Sequence, residues 1–496
     1  MGDLGSQIYP RRIEQRLGEV RTNTLRRIWE SPTVMTWGGL GARLLGFLFV
    51  LPVVLSRFPA EVVSVWLLFV TLSGLQLLAD MGFAPTFSRV IAYAVGGADV
   101  SRLADHRSLS AVERRDGPNW DSMGLIVATM RPIYVRLALM FFGLMLVFGT
   151  WSLRRPISMT EHPVTAWWAW AVVLCTTSYA LYSSFYAVYL LGTNHVVVLR
   201  RWEMITGLGS PVLTLLVLFL FGDLLSLVIA GQVGIWVQIF RNRWLCHQVD
   251  DGRFASFPDQ SVHRVVFDAV WPSAWRSALA VLMGFGLLQA SGILYAQIGS
   301  AADTASYLLA VRLIQAVSAF SQAPFYTKLP SLARLRAEGD HLAQVQLARR
   351  GMTLSYWTFV AGFVGIGLFA DLLLESAGSR TSFVDARLWA LLGLALFAER
   401  YGAMHLNLYS TTNHIISHVA NGVAGLLFVA VSALLMPAIG VYAFPVGLLA
   451  GNVGFYAWYA VRHSYRAFDL RFWSFERSTM LPPLAIALLY SGWAAL

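Results

Sequence analysis

Long apolar runs separated by short polar loops dominate the chain, and this pattern predicts membrane-spanning helices. A helix that crosses the hydrocarbon core of a bilayer needs about 20 predominantly apolar residues. Thirteen runs come near or exceed that length, at residues 34–55, 62–81, 133–153, 165–191, 203–222, 224–240, 267–297, 304–327, 352–374, 388–409, 415–437, 439–461 and 479–496. Because the sixth and thirteenth runs are short, twelve and fourteen crossings remain alternatives. The predicted fold class is an all-α polytopic membrane protein of about 12–14 transmembrane helices.

Composition and charge agree with this fold class and orient the helices. Of the 496 residues, 57% are hydrophobic and 13% are charged, about half the charged fraction of a soluble domain. Most of the 37 Lys and Arg residues lie in loops on the side of the amino terminus, so the positive-inside rule predicts a cytoplasmic amino terminus. The Arg-bearing segment 1–32 is predicted to be an amphipathic surface helix on anionic lipid. This placement accounts for the net charge of +10 without a nucleic-acid partner.

Three short motifs occur twice, in the same order, which indicates two related halves. The matching pairs are 84–89 with 323–328, 193–195 with 412–414, and 230–234 with 450–454. An even number of helices in each half gives both halves the same orientation, so the sequence predicts two parallel six-helix bundles around a central cavity that opens by alternating access. The predicted parts are an amino-terminal segment (1–32), two bundles (33–247 and 265–462), a cytoplasmic linker (248–264) and a basic linker with an extra helix (463–496).

Motifs within and just after the second and eighth apolar runs also resemble those of a known family. Residues 78–86 (LADMGFAPT) with a basic residue at Arg89, and the segments 307–312 (YLLAVR), 330–333 (PSLA) and 338–340 (EGD), resemble the Wzx-type polysaccharide and O-antigen flippases of the multidrug/oligosaccharidyl-lipid/polysaccharide (MOP) exporter superfamily. The resemblance implies a flippase that moves undecaprenyl-pyrophosphate-linked oligosaccharides from the inner to the outer leaflet of the bacterial inner membrane. Polymerisation and export machinery are further candidate partners. No cofactor is expected, and the membrane potential alone could drive the cycle with or without a coupling ion, H⁺ or Na⁺.

Two other classes of function, a cation antiporter and a membrane-embedded enzyme, are the alternatives to a flippase. A MATE-like multidrug/cation antiporter of the same superfamily requires an acidic cavity, and Asp80 and Glu399 keep that alternative open. A membrane-embedded enzyme requires acids and histidines clustered at one membrane face, and the sequence shows no such cluster. It also contains neither a phosphate-binding loop nor a set of metal ligands at the expected spacing. The sequence therefore predicts a transporter that is not an enzyme and binds neither nucleotide nor metal.

Basic residues within or beside the apolar runs are the first candidates for substrate binding, because a buried arginine needs a partner or water. Arg43, Arg276 and Arg312 are predicted to bind the pyrophosphate from the cavity wall. For Arg43 and Arg276, an ion pair with an acid such as Asp80, or snorkelling to the interface, is the alternative. The repeat-related Arg89 and Lys328 are weaker candidates, since residues at helix ends usually anchor to lipid phosphates.

Carboxylates and tyrosines complete the candidate site. Asp80, Glu399 and Arg400 are predicted to act in coupling or gating, with a helix-end cap as the alternative for Asp80 and a buried structural pair for Glu399. Adjacent helical residues point about 100° apart, so Glu399 and Arg400 are not expected simply to neutralise each other, and at least one is expected to find a partner on another helix or to face water. Tyr182 and its repeat partner Tyr401 are candidates for stacking on sugar rings, with simple packing as the alternative.

Overall fold

The structure is a computed structural model, and it describes residues 32–97, 99, 117–257, 262–412, 414 and 416–496. The predicted surface segment 1–32 lies outside the described residues, apart from Pro32. Several side chains of the first helix, including that of Arg43, also lie outside the described set. The described part of the chain is helical and contains no strand.

Sixteen helices follow one another along the described chain. They are α1 (Pro32–Arg57), α2 (Ala60–Ala79), α3 (Phe83–Val95), α4 (Trp120–Ser158), α5 (Pro163–Gly192), α6 (Val196–Leu220), α7 (Leu224–Gln248), α8 (Arg264–Ile298), α9 (Ala301–Tyr326), α10 (Leu329–Glu338), α11 (His341–Ser376), α12 (Ala386–Ser410), α13 (Ser417–Ile439), α14 (Ala443–Gly451 continuing to Ala457–Phe468), α15 (Phe472–Glu476) and α16 (Leu481–Ala495). Each predicted crossing falls on one of these helices, and the short helices α3, α10 and α15 are the additional ones. Within the described residues, nine helical stretches meet the length and hydropathy of a membrane span. The predicted polytopic all-α class is confirmed.

The helices form two bundles with a hydrophobic cluster in each, and the cluster of the first half extends into α8 and α9 of the second. In the first half α1 packs against α6, and α5 packs against α3, α4 and α7. In the second half α9 packs against α11, and α12 packs against α14 and α16. The two halves meet where α2 contacts α9 and where α3 contacts α8. The candidate residues on α2, α8 and α9 therefore lie at or beside the junction between the halves.

The halves are joined at the face where α1 ends, here called the far face; α1 begins at the opposite face, called the amino face. At the far face, Gln297 Nε2 donates to the Ser152 carbonyl at 2.7 Å, and the Arg155 guanidinium donates to the Gln297 carbonyl. The Arg380 amide donates to the Leu55 carbonyl at 2.9 Å. Each contact links one half to the other, so this conformation holds the far face closed.

A sharp turn between α2 and α3 of the first half lies close to α8 of the second half. Met81 (φ 49°) and Gly82 (φ 69°) both have left-handed backbone conformations. A Cβ atom at Gly82 would lie 2.4 Å from Ser277 Cβ and 2.9 Å from the Ala274 carbonyl oxygen on α8. Glycine is required here for both reasons: it adopts positive φ without strain, and it has no side chain to hold α8 away.

Candidate substrate cavity

Each half encloses a cavity between equivalent helices. The cavity of the second half lies among α8, α9, α12, α13 and α14 and has a volume of about 550 Å³. Its counterpart in the first half lies among α1, α2, α5, α6 and α7, measures about 300 Å³ and is lined mainly by apolar side chains such as Trp66 and Phe69. We call them the C-cavity and the N-cavity. The two cavities occupy equivalent positions in the repeat, but their linings differ.

The C-cavity is bordered by two π-helical turns, Leu282–Gly286 in α8 and Asn452–Tyr456 in α14. Phe285 lines it from the first turn, and Asn452 and Tyr456 line it from the second. A π turn inserts an extra residue into an α-helix and is frequent at functional sites. The turns thus reshape both helices at the cavity wall.

Glu399 and Arg400 lie side by side at this cavity and have different surroundings. Glu399 lines the cavity, with 32% of its side chain exposed, and its Oε2 lies 3.5 Å from Arg400 Nη2. The Arg400 side chain is fully buried and reaches α9, where its guanidinium donates to Ser318 Oγ. With its amide oriented to satisfy both groups, Gln322 accepts from Arg400 Nη1 and Nη2 at 3.0 Å each. The pair is consequently an acid at the cavity wall with its counter-charge directly behind it.

Arg312 lies at the junction of the two halves, near the middle of α9. Its Nη2 donates to Thr71 Oγ1 of α2 at 2.8 Å, and its Nη1 donates to Gln315 Oε1 at 3.3 Å. Gln315 Nε2 donates in turn to Gln289 Oε1 of α8 at 3.2 Å. Arg312 Nε and Gln289 Nε2 are buried and have no hydrogen-bond partner among the described residues. This network has more N–H donors than acceptors.

Asp80 lies in the turn between α2 and α3 and makes two hydrogen bonds. Its Oδ2 accepts from the Ala84 amide at 3.0 Å, and its Oδ1 accepts from the Tyr134 hydroxyl of α4 at 2.9 Å. The first bond occupies an amide at the start of α3 that has no partner within that helix. The bond from the Ala84 amide is that of the helix-end cap that the sequence leaves open as an alternative, whereas the bond from Tyr134 is a tertiary contact with α4. The side chain of Arg43, its suggested ion-pair partner, lies outside the described residues.

The other basic candidates lie toward the amino face. Arg276 is exposed and precedes Ile298 of α8 by 22 residues, about 33 Å of helix at about 1.5 Å per residue. That distance is close to the thickness of the hydrocarbon core, so Arg276 lies near its amino-face boundary. Arg89 is exposed on α3, and Lys328 is half-buried at the end of α9. The structure does not bring these residues into direct contact with Arg312.

The two tyrosine candidates are packed among aromatic side chains and do not line either cavity. The centroid of the Tyr182 ring lies 5.6 Å from that of Tyr179 and 5.5 Å from that of Phe185. The Tyr401 ring lies 5.0 Å from that of His405, and its hydroxyl donates to Glu476 Oε1 at 3.3 Å. Both positions correspond to the packing alternative. The predicted role in sugar binding remains untested for either residue.

A second polar network, which the sequence reasoning did not find, surrounds Glu476 in α15. Glu476 and His405 are fully buried, and His405 Nε2 lies 3.1 Å from Glu476 Oε1. Tyr465 donates to the same oxygen at 2.7 Å, and Thr479 donates to Oε2 at 2.6 Å. Burial raises the pKa of Glu476, but hydrogen bonds and charge from His405, aided by Thr479 and Tyr465, outweigh it and leave that pKa lowered. An acid next to three aromatic residues, in the interval between two apolar runs, was the available sequence signal.

Among the described residues, no group of three or more His, Cys, Asp or Glu side chains has an arrangement that could hold a metal ion. The two cysteines are free thiols. The chemistry of the two cavities therefore rests on the amide, carboxylate, guanidinium and aromatic groups described above.

Solved transporters share this architecture over most of the chain. A MATE-family multidrug resistance transporter of the MOP superfamily, in an inward-facing conformation, aligns with a TM-score of 0.64 at 13% identity, covering 88% of this chain and 98% of the other. The lipid II flippase MurJ, in an inward closed conformation, aligns with a TM-score of 0.58 at 10% identity, covering 93% and 98%. A mutant of the Vibrio cholerae MATE transporter VcmN aligns at 0.55 and 13% identity, covering 89% and 98%. This is the fold of the MOP-superfamily transporters.

At these identities the likeness shows the fold alone. No protein-family model matches the sequence, and no curated protein matches it significantly. Both cavities, the closed far face and the Arg312 network are thus features of a multi-pass membrane protein with the MOP fold, and the choice between its substrates depends on the side chains.

Proposed function

We propose that this protein is a flippase that moves polyprenyl-pyrophosphate-linked oligosaccharides across the bacterial inner membrane, with its amino terminus in the cytoplasm. The observation that carries the proposal is the Arg312 network between the two halves, in which buried N–H groups outnumber acceptors. Such a site favours an anion that can accept several hydrogen bonds at once.

The cost of placing a cation there supports this interpretation. Arg312 follows Ala301 by 11 residues in a helix of 26, and an arginine near the centre of a bilayer costs about 2.5–3.5 kcal/mol on insertion scales. Among the described residues no carboxylate forms an ion pair with it. A pyrophosphate presents several anionic oxygens, and a guanidinium binds such groups through paired hydrogen bonds. On sequence grounds, Arg43 and Arg276 are proposed to assist from α1 and α8.

The conformation and fold are consistent with loading from the cytoplasmic side. The far face is closed by the contacts of Gln297 and Arg380, so a head group would enter from the amino face. The MurJ relative is a lipid II flippase, which makes a lipid-linked head group a suitable cargo for this fold. Rocking of the halves would break the far-face contacts and release the head group. Each negative charge moved outward gains about 2.3 kcal/mol per 100 mV of inside-negative potential.

Glu399 is the observation that favours a cation antiporter, because it places a carboxylate at the wall of the C-cavity. Arg400 lies 3.5 Å from that carboxylate and is itself fully buried. The pair has no net formal charge, so the cavity offers an organic cation little electrostatic attraction. The flippase proposal therefore accounts for both charged groups better than the antiporter does.

The proposal is tested by glycan accumulation in a strain that lacks the gene, with the leaflet of the lipid-linked glycan read by an impermeant probe. We expect glycan to accumulate on the inner leaflet and to be cleared by the intact protein, but not by Arg312→Gln at equal protein level. The matched control is Arg334→Gln, which removes an exposed guanidinium on α10 and should complement fully. Unchanged glycan in the deletion strain, with altered sensitivity to cationic drugs, would refute the flippase and favour the antiporter.

A further inference from the structure

We propose that the C-cavity binds the neutral sugars next to the pyrophosphate, and that the N-cavity takes no part in sugar recognition. This inference rests on the proposed flippase function and adds to it a location and a chemical class of ligand. It predicts that one half of the protein distinguishes a glycan-bearing lipid from a bare one. The argument rests on acceptor geometry, net charge, aromatic surface and distance from Arg312.

The C-cavity is lined by three asparagine side chains whose amide nitrogens are already bonded to the backbone. Asn407, Asn421 and Asn452 all line it, and each uses its Nδ2 to donate to a backbone carbonyl, at 2.7, 3.0 and 2.8 Å respectively. Their Oδ1 atoms accept no hydrogen bond from the described residues. Since an amide oxygen has two lone pairs, these side chains form a wall of acceptors, to which the hydroxyl groups of a sugar can donate.

Charge distinguishes a sugar from a cation at such a wall. An acceptor-rich surface would suit an ammonium group as well as a hydroxyl group, but the carboxylate of Glu399 already has Arg400 as its counter-ion at 3.5 Å. The wall is thus polar without net formal charge. A neutral polyhydroxylated ligand fits these conditions, whereas a cation would compete with a buried guanidinium.

Aromatic rings complete a surface of the kind that binds sugars. Tyr326, Phe285 and Tyr456 line the same cavity, and aromatic side chains combine a broad apolar face with, in tyrosine, a hydroxyl group. The volume of about 550 Å³ falls within the range of about 300–1,000 Å³ that is typical of small-molecule sites. The C-cavity therefore has the size and the mixture of apolar and polar groups expected of a ligand site.

The C-cavity lies close to the proposed pyrophosphate site at Arg312. Gln315 accepts from Arg312 Nη1 at 3.3 Å and also lines the C-cavity. One side chain thus separates the guanidinium from the cavity. A sugar attached directly to a pyrophosphate at Arg312 would therefore lie beside the C-cavity.

Of the residues that the structure describes, the N-cavity is lined by a single carboxamide side chain, that of Gln232, and by no asparagine and no charged side chain. The repeat aligns Gln232 with Asn452, and Gln232 lines the N-cavity together with Trp66 and Phe69. At about 300 Å³ this cavity is smaller than the C-cavity. Gln232 is therefore a matched control position, where an amide can be removed without changing the proposed sugar-binding wall of the C-cavity.

The test measures binding of two probes to the purified full-length protein in nanodiscs: undecaprenyl pyrophosphate, and the undecaprenyl-pyrophosphate-linked glycan extracted from the deletion strain. We expect the wild type to bind the glycan-bearing lipid roughly tenfold more tightly or better, a difference of about 1.4 kcal/mol. Asn421→Leu and Glu399→Gln should each reduce this preference while leaving the affinity for the bare lipid unchanged. Retained binding of the bare lipid shows that each variant is folded.

Two further variants separate this inference from the proposed function. Arg312→Gln should weaken the binding of both lipids, because it removes the pyrophosphate contact, and Gln232→Leu should leave both affinities unchanged. The sugar site is overturned if the wild type binds both lipids equally, or if Asn421→Leu and Glu399→Gln keep the full preference for glycan. Failure of the wild type to bind either lipid would overturn the flippase proposal and the sugar site with it.

Discussion

The buried carboxylate of Glu476 joins α15 to the second bundle, and its removal should release this part of the chain. Four donors converge on it, from His405, Tyr465, Thr479 and Tyr401, at 2.6–3.3 Å. Replacing it in Glu476→Leu leaves these groups buried without their acceptor. Removing one partner of a buried, hydrogen-bonded charge pair typically costs about 3–5 kcal/mol. The equilibrium between the attached and the detached segment should therefore shift by roughly a hundredfold or more.

Two measurements on purified protein in nanodiscs detect this change. Trp fluorescence during heating should show a lower unfolding temperature for Glu476→Leu than for the wild type. Trypsin should also cut faster after Arg471, an exposed residue between α14 and α15. Glu338→Gln is the control: it breaks a pair with Arg334 in which both side chains are more than half exposed, and such pairs contribute about 0–1 kcal/mol. Equal melting and equal cleavage of Glu476→Leu and the wild type would refute the assigned role of the network.

Two other predictions concern pH and backbone geometry. The folded state lowers the pKa of Glu476 from 4.5. The contribution of this carboxylate to stability is therefore complete above pH 4.5 and is lost as the pH falls further and the carboxylate is protonated. Melting curves of the wild type should show this loss, and those of Glu476→Gln should show a smaller one. Gly82→Ala should reduce thermal stability by more than Gly378→Ala, since both glycines have φ between 60° and 70° but only Gly82 has an atom within 4 Å of the added Cβ. Equal losses for the two glycine variants would mean that α3 and α8 do not pack as described.

Hydropathy predicts where the helices lie but not where each one begins. The third apolar run starts at residue 133, whereas α4 begins at Trp120. Arg131 and Pro132 interrupt the hydropathy signal, and proline normally ends or kinks a helix. The preceding turns are nevertheless helical, and Met123 and Met130 are fully buried in the first core. Packing against other helices determined this boundary, and a local pattern does not contain that information.

The candidate site shows the same division between local and tertiary information. The divergence of neighbouring side chains on a helix suggested that Glu399 and Arg400 do not simply neutralise each other. One faces the C-cavity and the other reaches α9, yet their charged groups still lie 3.5 Å apart, because long side chains bend toward each other from adjacent positions. The partners of these two side chains could not be predicted from a local pattern. The contact between His405 and Glu476 joins residues 71 positions apart, and no periodic pattern relates them. Only the folded bundle brings these two together.

The difference between the two cavities explains how a duplicated protein could carry an asymmetric cargo. Helices in equivalent positions give each half the same frame, and the two halves meet at α2 and α9. A lipid-linked glycan has an anionic group with a hydrophilic chain on one side and a hydrocarbon chain on the other, and two identical cavities would not distinguish these ends. On the proposed function, an amide-lined cavity in one half and a largely apolar cavity in the other would distinguish them. With Arg312 at the junction, the substrate would have one preferred orientation throughout the cycle.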